Sequence, residues 1–79
     1  MDEIIEIVCR IAGIGDIDPD AVLYESGFSS LDTLELLVEL ESVYGLAIPD
    51  DQFMAARTPQ QLRALVSRLR EEQKEEQLV

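Results

Sequence analysis

The segment between Ser29 and Gly45 most constrains the fold, because its apolar residues recur at helical spacing on two sides of one helix. At about 100° per residue, one side carries the larger set, which is Leu36, Leu37, Leu40, Val43 and Tyr44. The smaller set lies nearly opposite and is Leu31, Leu34 and Val38. A domain of 79 residues cannot easily cover a helix on both sides. We therefore expect the larger set to face the core and the smaller set to stay largely exposed.

The ends of this second helix are marked by residues that start and stop helices. Ser29-Ser30-Leu31-Asp32 has the form of a helix start, with Ser29 as the N-cap residue and Asp32 three positions on. An acidic first turn also suits the positive end of the helix dipole. Gly45 predicts the end of the helix at about residue 44.

Three more helical segments are expected. The first covers about residues 2–12, and a short helical turn around residues 52–55 follows Ile48-Pro49-Asp50-Asp51. The last helix begins at Thr58-Pro59-Gln60-Gln61, where Thr58 can cap, Pro59 suits the first position and Gln61 can complete a capping box. The core residues expected in the first and last helices are Ile4, Ile5, Val8, Ile11, Ala12, Leu62, Leu65, Val66 and Leu69.

The rest of the chain predicts a loop and a tail. Residues 13–29 are rich in Gly, Asp, Pro and Ser and should form a long ordered loop with room for one helical turn after Pro19. The residues available to anchor this loop are Ile14, Ile17, Val22, Leu23, Tyr24 and Phe28. Alternatively, the loop folds over the smaller apolar set and makes it a second core face.

The expected fold is all-α, a bundle of three main helices and a short third helix, because no convincing alternating strand pattern occurs. Residues 1–70 should form one domain. Residues 71–79 are mostly charged or amide side chains and should form a frayed tail.

Composition argues against an enzyme. Histidine is absent and Cys9 is the single cysteine, which removes the usual imidazole base, most zinc ligand sets and any intramolecular disulfide. Cys9 lies in an apolar run, so a buried structural thiol is favoured over a reactive one.

A calcium loop is suggested only weakly by Asp16, Asp18 and Asp20. Ala21 replaces the glycine that such a loop requires, and Gly27 replaces the closing glutamate. We therefore expect no metal site.

Charge indicates the class of partner. The formal net charge is -11, from 17 acidic and 6 basic residues, which disfavours nucleic acid and anionic membranes and favours basic proteins. Residues 1–53 contain 13 of the acids and a single base, Arg10. No apolar stretch approaches the roughly 18 residues of a membrane span, and Met1-Asp2-Glu3 lacks the basic start of a signal peptide. We expect a soluble, cytoplasmic monomer.

The smaller apolar set of the second helix has an acidic margin. Glu35 lies on one flank and Glu41 on the other, with Asp32 and Glu39 farther round. Isolated surface leucines need no function, but an apolar strip bordered by acids is typical of a docking surface. We expect Leu31, Asp32, Leu34, Glu35, Val38, Glu39 and Glu41 to contact partner proteins.

This strip begins beside two serines, and capping explains only one of them. The hydroxyl of Ser30 is expected to be exposed near the positive end of the helix dipole, where a phosphate ester is favoured. A catalytic serine needs a base, but the chain has no histidine and its one lysine, Lys74, lies in the tail. Ser30 is therefore better suited to accept a group from another enzyme than to act as a catalytic nucleophile itself.

Two stretches of the chain closely resemble acyl and peptidyl carrier proteins. The first is Gly27-Phe28-Ser29-Ser30-Leu31-Asp32-Thr33-Leu34-Glu35-Leu36, which is similar to the modification site of that family, usually Gly-x-Asp-Ser-Leu. In the second, Leu40-Glu41, Tyr44-Gly45 and Ile48-Pro49-Asp50-Asp51 resemble the end of the family's second helix and its Ile-Pro-Asp entry to the third. Together they are more specific than Gly-x-x-Ser-Leu alone.

The resemblance implies a four-helix bundle in which a phosphopantetheinyl transferase attaches 4'-phosphopantetheine from coenzyme A to Ser30. Acyl or aminoacyl groups would then be carried as thioesters. The implied partners are an acyl- or aminoacyl-loading enzyme and ketosynthase, condensation or other acyl-transferring enzymes with basic docking patches.

One position departs from the family pattern, because Ser29 stands where aspartate is usual. Serine keeps the capping function but removes one negative charge beside Ser30. This favours a free-standing carrier of polyketide, nonribosomal peptide or aminoacyl-transfer pathways over the fatty-acid carrier. The alternative function is an unmodified helical module that binds a partner through Leu31, Leu34 and Val38.

Overall fold

A computed structural model describes residues 3–77, and the side chains of residues 3–73. Within that range it contains four α-helices and no strand. The helices are α1 (Glu3–Ala12), α2 (Ser30–Tyr44), α3 (Asp50–Ala55) and α4 (Pro59–Gln77), and a 3₁₀ turn at Leu23–Ser26 lies between α1 and α2. The predicted all-α bundle with a short third helix and a long loop between helices one and two is confirmed.

Helix α2 begins and ends at the residues that the sequence predicts. The Asp32 backbone N–H donates to Ser29 Oγ at 3.1 Å, and the Ser29 backbone N–H donates to Asp32 Oδ2 at 3.0 Å, which completes a capping box. Gly45 ends the helix with a φ of 63°, a value that glycine adopts at little cost, and its N–H donates to the Glu41 carbonyl.

A single apolar core lies between the helices. Helix α1 packs against α2 and α4, and α3 packs against α4. The buried apolar side chains of this core are Ile4, Ile5, Ile7, Val8, Cys9, Ile17, Leu23, Phe28, Leu36, Leu40, Ile48, Phe53, Leu62, Leu65, Val66 and Leu69. The core residues predicted for the last helix are all among them, and Ile11 and Ala12 of α1 are partly buried against them.

The two faces of α2 differ as predicted, with one correction. Leu36 and Leu40 are fully buried and Leu37 and Tyr44 are partly buried, whereas the smaller apolar set is exposed to solvent. The alternative in which the long loop covers that set is therefore wrong. Val43 was expected in the core but is 45% exposed. It lies at the edge of the buried face of α2, and its neighbour Ser42 is exposed as well.

The loop between α1 and α2 is anchored to the core, to the loop between α3 and α4, and to the first turn of α4. Its buried residues are Ile17, Leu23 and Phe28. The Leu23 N–H donates to the Arg57 carbonyl at 3.0 Å, and the Gln60 N–H donates to the Pro19 carbonyl at 2.9 Å. Tyr24 was expected to anchor the loop but is 57% exposed. A 3₁₀ turn has about three residues per turn, so burial of Leu23 directs the next side chain outward.

Helix α4 starts at Pro59 as predicted, but its capping differs in detail. The Gln61 N–H donates to Thr58 Oγ1 at 3.1 Å. The Gln61 side chain accepts from the N–H of Arg57 at 2.7 Å, one residue before the expected partner in a capping box. The helix continues to Gln77. Fraying of residues 71–79 stays a prediction, and residues 1, 2, 78 and 79 lie outside the described range.

Candidate functional site

The two serines at the start of α2 have different surroundings. The hydroxyl of Ser29 is occupied, because it accepts a hydrogen bond from the backbone of Asp32. Ser30 is exposed and is the first residue of α2. Within residues 3–73, its hydroxyl makes no hydrogen bond. Ser30 therefore presents a free hydroxyl to solvent.

The backbone before α2 fixes where this hydroxyl lies. Phe28 is only 4% exposed and packs into the core two residues before Ser30. Gly27 has a φ of 100°, in the left-handed region that disfavours other residues, and its N–H donates to the Leu23 carbonyl. The chain thus turns sharply at Gly27, and Phe28 is buried in the core. Together these residues place the start of α2 at the surface.

Two shallow clefts adjoin the start of α2. The first, which we call the Ser30 cleft, has a volume of about 300 Å³ and is lined by Tyr24, Ser30, Thr33, Leu34, Leu37, Asp50, Phe53 and Met54. The second, which we call the Arg57 cleft, has a volume of about 390 Å³ and is lined by Val22, Leu23, Tyr24, Thr33, Phe53, Met54, Ala56 and Arg57. Four lining residues are common to both, so the clefts are adjacent.

Helix α2 displays an exposed apolar strip that starts next to Ser30. Leu31 is 77% exposed, Leu34 is 57% exposed and Val38 is 58% exposed. Leucine and valine are usually buried, and several exposed together mark an interaction surface more often than one alone. We refer to these three residues as the α2 strip.

The acids around the α2 strip are not equally available. Three of the four have partners within the chain: Asp32 belongs to the capping box, Glu39 pairs with Arg10, and Glu41 Oε2 accepts from the Ile48 N–H at 3.0 Å. Glu35 is exposed and has no hydrogen bond or ion pair within the described side chains. Glu35 is therefore the acid of this group that is free to meet a basic partner.

Sequence reasoning missed two exposed apolar residues at the clefts, Tyr24 and Met54, which are 57% and 56% exposed. Both line the Ser30 cleft and the Arg57 cleft. A signal for Met54 was present in the sequence, because burial of Phe53 on a six-residue helix turns its neighbour outward. The exposed apolar surface therefore extends from α2 to α3 and the 3₁₀ turn.

The site lacks the groups that would make Ser30 a catalytic nucleophile. Its cleft contains one ionisable side chain besides the hydroxyl of Tyr24, the carboxylate of Asp50, and no hydrogen bond joins that carboxylate to Ser30 among the described residues. A serine hydroxyl attacks readily only when a positioned base takes its proton. The arrangement suits acceptance of a group that another protein activates.

The other candidate residues have structural surroundings. Cys9 is 6% exposed, and burial, with a smaller contribution from the Asp16 carboxylate, raises the pKa of its thiol above the ordinary value. Asp16 and Asp18 accept hydrogen bonds from the backbone N–H groups of Ile17 and Asp20. In the described range, no three His, Cys, Asp or Glu residues are grouped so as to hold a metal ion.

Among the helices of the described residues, none combines the length and the apolar character needed to cross a bilayer.

Comparison with known families identifies the chain. The family model described as a phosphopantetheine attachment site matches residues 2–71, which is 70 of the 79 residues. Members of this family are non-catalytic carriers, and their cofactor is 4'-phosphopantetheine. With a matching helical bundle and an exposed serine at the start of α2, the chain belongs to the phosphopantetheine-attachment family of carrier proteins.

Proposed function

We propose that the chain is an acyl carrier protein and that Ser30 is its attachment residue. The observation that supports this assignment is the contrast between the two adjacent serines. Ser29 uses its hydroxyl to cap α2, whereas the hydroxyl of Ser30 is exposed and has no partner among the described residues. Only the second can be modified without removing the cap.

The start of α2 also fits the phosphate of the cofactor. Backbone N–H groups of the first helical turn and the helix dipole favour negative charge at this end. Asp32 lies in the same turn, but its carboxylate already accepts the N–H of Ser29. A phosphodiester on Ser30 would therefore lie in solvent at the positive end of α2.

Attachment is a substitution at phosphorus that a transferase catalyses. The Ser30 Oγ forms a bond to the β-phosphorus of coenzyme A, the phosphoanhydride bond breaks, and adenosine 3',5'-bisphosphate leaves. The proton of Ser30 passes to a base of the transferase, since the Ser30 cleft offers no histidine or lysine. When bound, the cofactor supplies a terminal thiol on which acyl or aminoacyl groups are held as thioesters.

We propose the α2 strip, together with Glu35, as the docking surface for the transferase and for acyl-transferring enzymes. The strip is exposed, it begins next to Ser30, and Glu35 is free to contact a basic residue. A partner that seats on the strip would bring its active site to the start of α2. Asp32, Glu39 and Glu41 contribute negative potential from fixed positions, because each is held by a partner within the chain.

The pathway is proposed from the one position that departs from the family pattern. Ser29 removes a negative charge beside Ser30, which favours a polyketide, nonribosomal peptide or aminoacyl-transfer pathway over fatty-acid synthesis. The partners are then a loading enzyme and ketosynthase or condensation enzymes with basic patches. The cytoplasmic, free-standing and monomeric state stays a prediction.

The experiment measures the intact mass of the protein after incubation with coenzyme A and a broad-specificity phosphopantetheinyl transferase. We expect the addition of one phosphopantetheine to the unsubstituted chain and none to Ser30→Ala. Ser29→Ala is the matched control, because it removes the neighbouring hydroxyl and the cap but leaves the proposed acceptor. It should still gain the full mass.

The second candidate function is an unmodified interaction module that uses the α2 strip, which the exposure of that strip also supports. The mass measurement separates the two functions. A chain that gains no mass with several transferases, while remaining helical by circular dichroism, would support the module and contradict the carrier.

A further inference from the structure

Arg57 is unusual among the arginines of this acidic protein. Four of the five have side-chain partners: Arg10 pairs with Glu39, Arg63 and Arg68 donate to Gln60 and Gln52, and Arg70 lies over the ring of Tyr44. Arg57 uses only its backbone, which donates to Gln61 and accepts from Leu23. Among the described side chains its guanidinium has no hydrogen-bonding or ionic partner, although the net charge of the chain is -11.

The position of Arg57 is as distinctive as its lack of a partner. It lines the Arg57 cleft together with apolar atoms of Leu23, Phe53 and Met54. That cleft adjoins the Ser30 cleft, and Tyr24, Thr33, Phe53 and Met54 line both. Mainly apolar surface therefore extends from the start of α2 towards a cation.

We infer that Arg57 binds the free carboxylate of a dicarboxylic acyl group that the chain carries. This inference rests on the proposed attachment at Ser30. The methylene groups of such an acyl chain would cover the apolar atoms of Phe53 and Met54, and the distal carboxylate would accept hydrogen bonds from the guanidinium. A planar guanidinium offers two parallel N–H donors to a carboxylate, which makes it the best-matched side chain for this group.

The shape of the two clefts favours a tethered small molecule as their occupant over a segment of a partner protein. Both clefts are concave and lined mainly by apolar atoms with few polar groups, which is the composition of small-ligand sites. The α2 strip, by contrast, is convex helix surface bordered by acids. The guanidinium of Arg57 in the Arg57 cleft therefore favours a cargo whose distal end is negatively charged.

The experiment compares two cargoes of equal size. The transferase is supplied with adipyl-coenzyme A or with the corresponding monoamide, so that the acylated arm is transferred whole to the unsubstituted chain, to Arg57→Gln and to Arg70→Gln. Hydrolysis of each thioester is followed by intact mass at low salt. In nitrogen-15 NMR spectra, the Arg57 Nε–H signal reports directly on contact with the cargo.

We expect Arg57→Gln to speed hydrolysis of the adipyl thioester, because cargo that is not held in the cleft leaves its thioester open to water. The expected increase is about two- to fivefold, the range for an exposed charge pair. The monoamide should hydrolyse at the same rate in both proteins, because it has no charge for Arg57 to bind. Arg70→Gln changes the net charge equally but lies at the other end of α2, against Tyr44, and should behave as the unsubstituted chain. The Arg57 signal should shift with adipyl cargo only.

Equal hydrolysis of both cargoes in all three proteins, with an unmoved Arg57 signal, would overturn the inference. So would an Arg57 signal that moves only when the transferase is added, because Arg57 would then contact a partner protein. Either result leaves attachment at Ser30 intact. A chain that takes up no acylated arm at all contradicts the proposed function instead, and mass spectrometry distinguishes that outcome before hydrolysis begins.

Discussion

At the scale of single residues, Cys9 decides whether the protein with its cofactor attached, before acylation, has one reactive thiol or two. Its side chain is 6% exposed within the core, and burial raises the pKa of the thiol, so the reactive thiolate is scarce at neutral pH. A thiol that is both protonated and covered reacts only when the surrounding structure opens. The cofactor thiol would then be the single thiol of the folded protein that exchanges freely.

We predict that iodoacetamide alkylates Cys9 of the apo protein at least about tenfold more slowly in buffer than in concentrated urea. The reason is that burial must be lost before the thiolate can form. Mass spectrometry over time gives both rates, and after attachment of the cofactor one alkylation should become fast while the second stays slow. Equal rates in buffer and in urea would show that the thiol is accessible in the folded protein.

At the scale of elements, α2 has two apolar sides that differ in exposure. Leu36 and Leu40 are fully buried and hold the helix against the core, whereas the α2 strip contributes little to that packing. Under the proposed docking function, the same helix stabilises the fold on one side and contacts partner proteins on the other. Substitutions on the two sides should separate stability from docking.

We predict that Leu34→Asp lowers the free energy of unfolding by less than about 0.5 kcal/mol, because the side chain is already 57% exposed. Leu40→Ala is the contrasting variant and should cost about 2–5 kcal/mol through the cavity that it leaves. Urea unfolding measures both. In the reaction that attaches phosphopantetheine to Ser30, Leu34→Asp and Glu35→Lys should each lower kcat/KM of the transferase with little change in the stability of the chain. Severe unfolding of Leu34→Asp would instead assign the strip to the core.

The elements also show what the sequence could and could not predict. The start of α2 was predictable, because Ser29 and Asp32 form a capping box from residues three positions apart. Partners distant in sequence were not predictable, as for the pair between Arg10 and Glu39, 29 positions apart. The cleft position of Arg57 likewise depends on how the α3–α4 loop packs on the 3₁₀ turn, which no local pattern encodes.

At the scale of the whole molecule, charge opposes stability and favours association. The net charge is -11, and Arg10 and Glu39 form an ion pair in the described part of the chain. That pair is exposed and contributes little. Most carboxylates therefore repel one another in the folded state, and the same negative field attracts basic partners from a distance.

We predict that adding NaCl from about 0.01 M to about 0.3 M raises the Tm of the apo protein and slows its loading by a basic transferase. The Debye length falls from about 30 Å to under about 8 Å over this range, so repulsion between carboxylates is screened, and attraction to the transferase is screened as well. Differential scanning calorimetry and loading kinetics give the two slopes. Glu35→Lys changes the net charge by two at the docking surface, and its loading rate should depend less on salt. A Tm that falls with salt would mean that attractive charge pairs, and not repulsion, dominate the folded state.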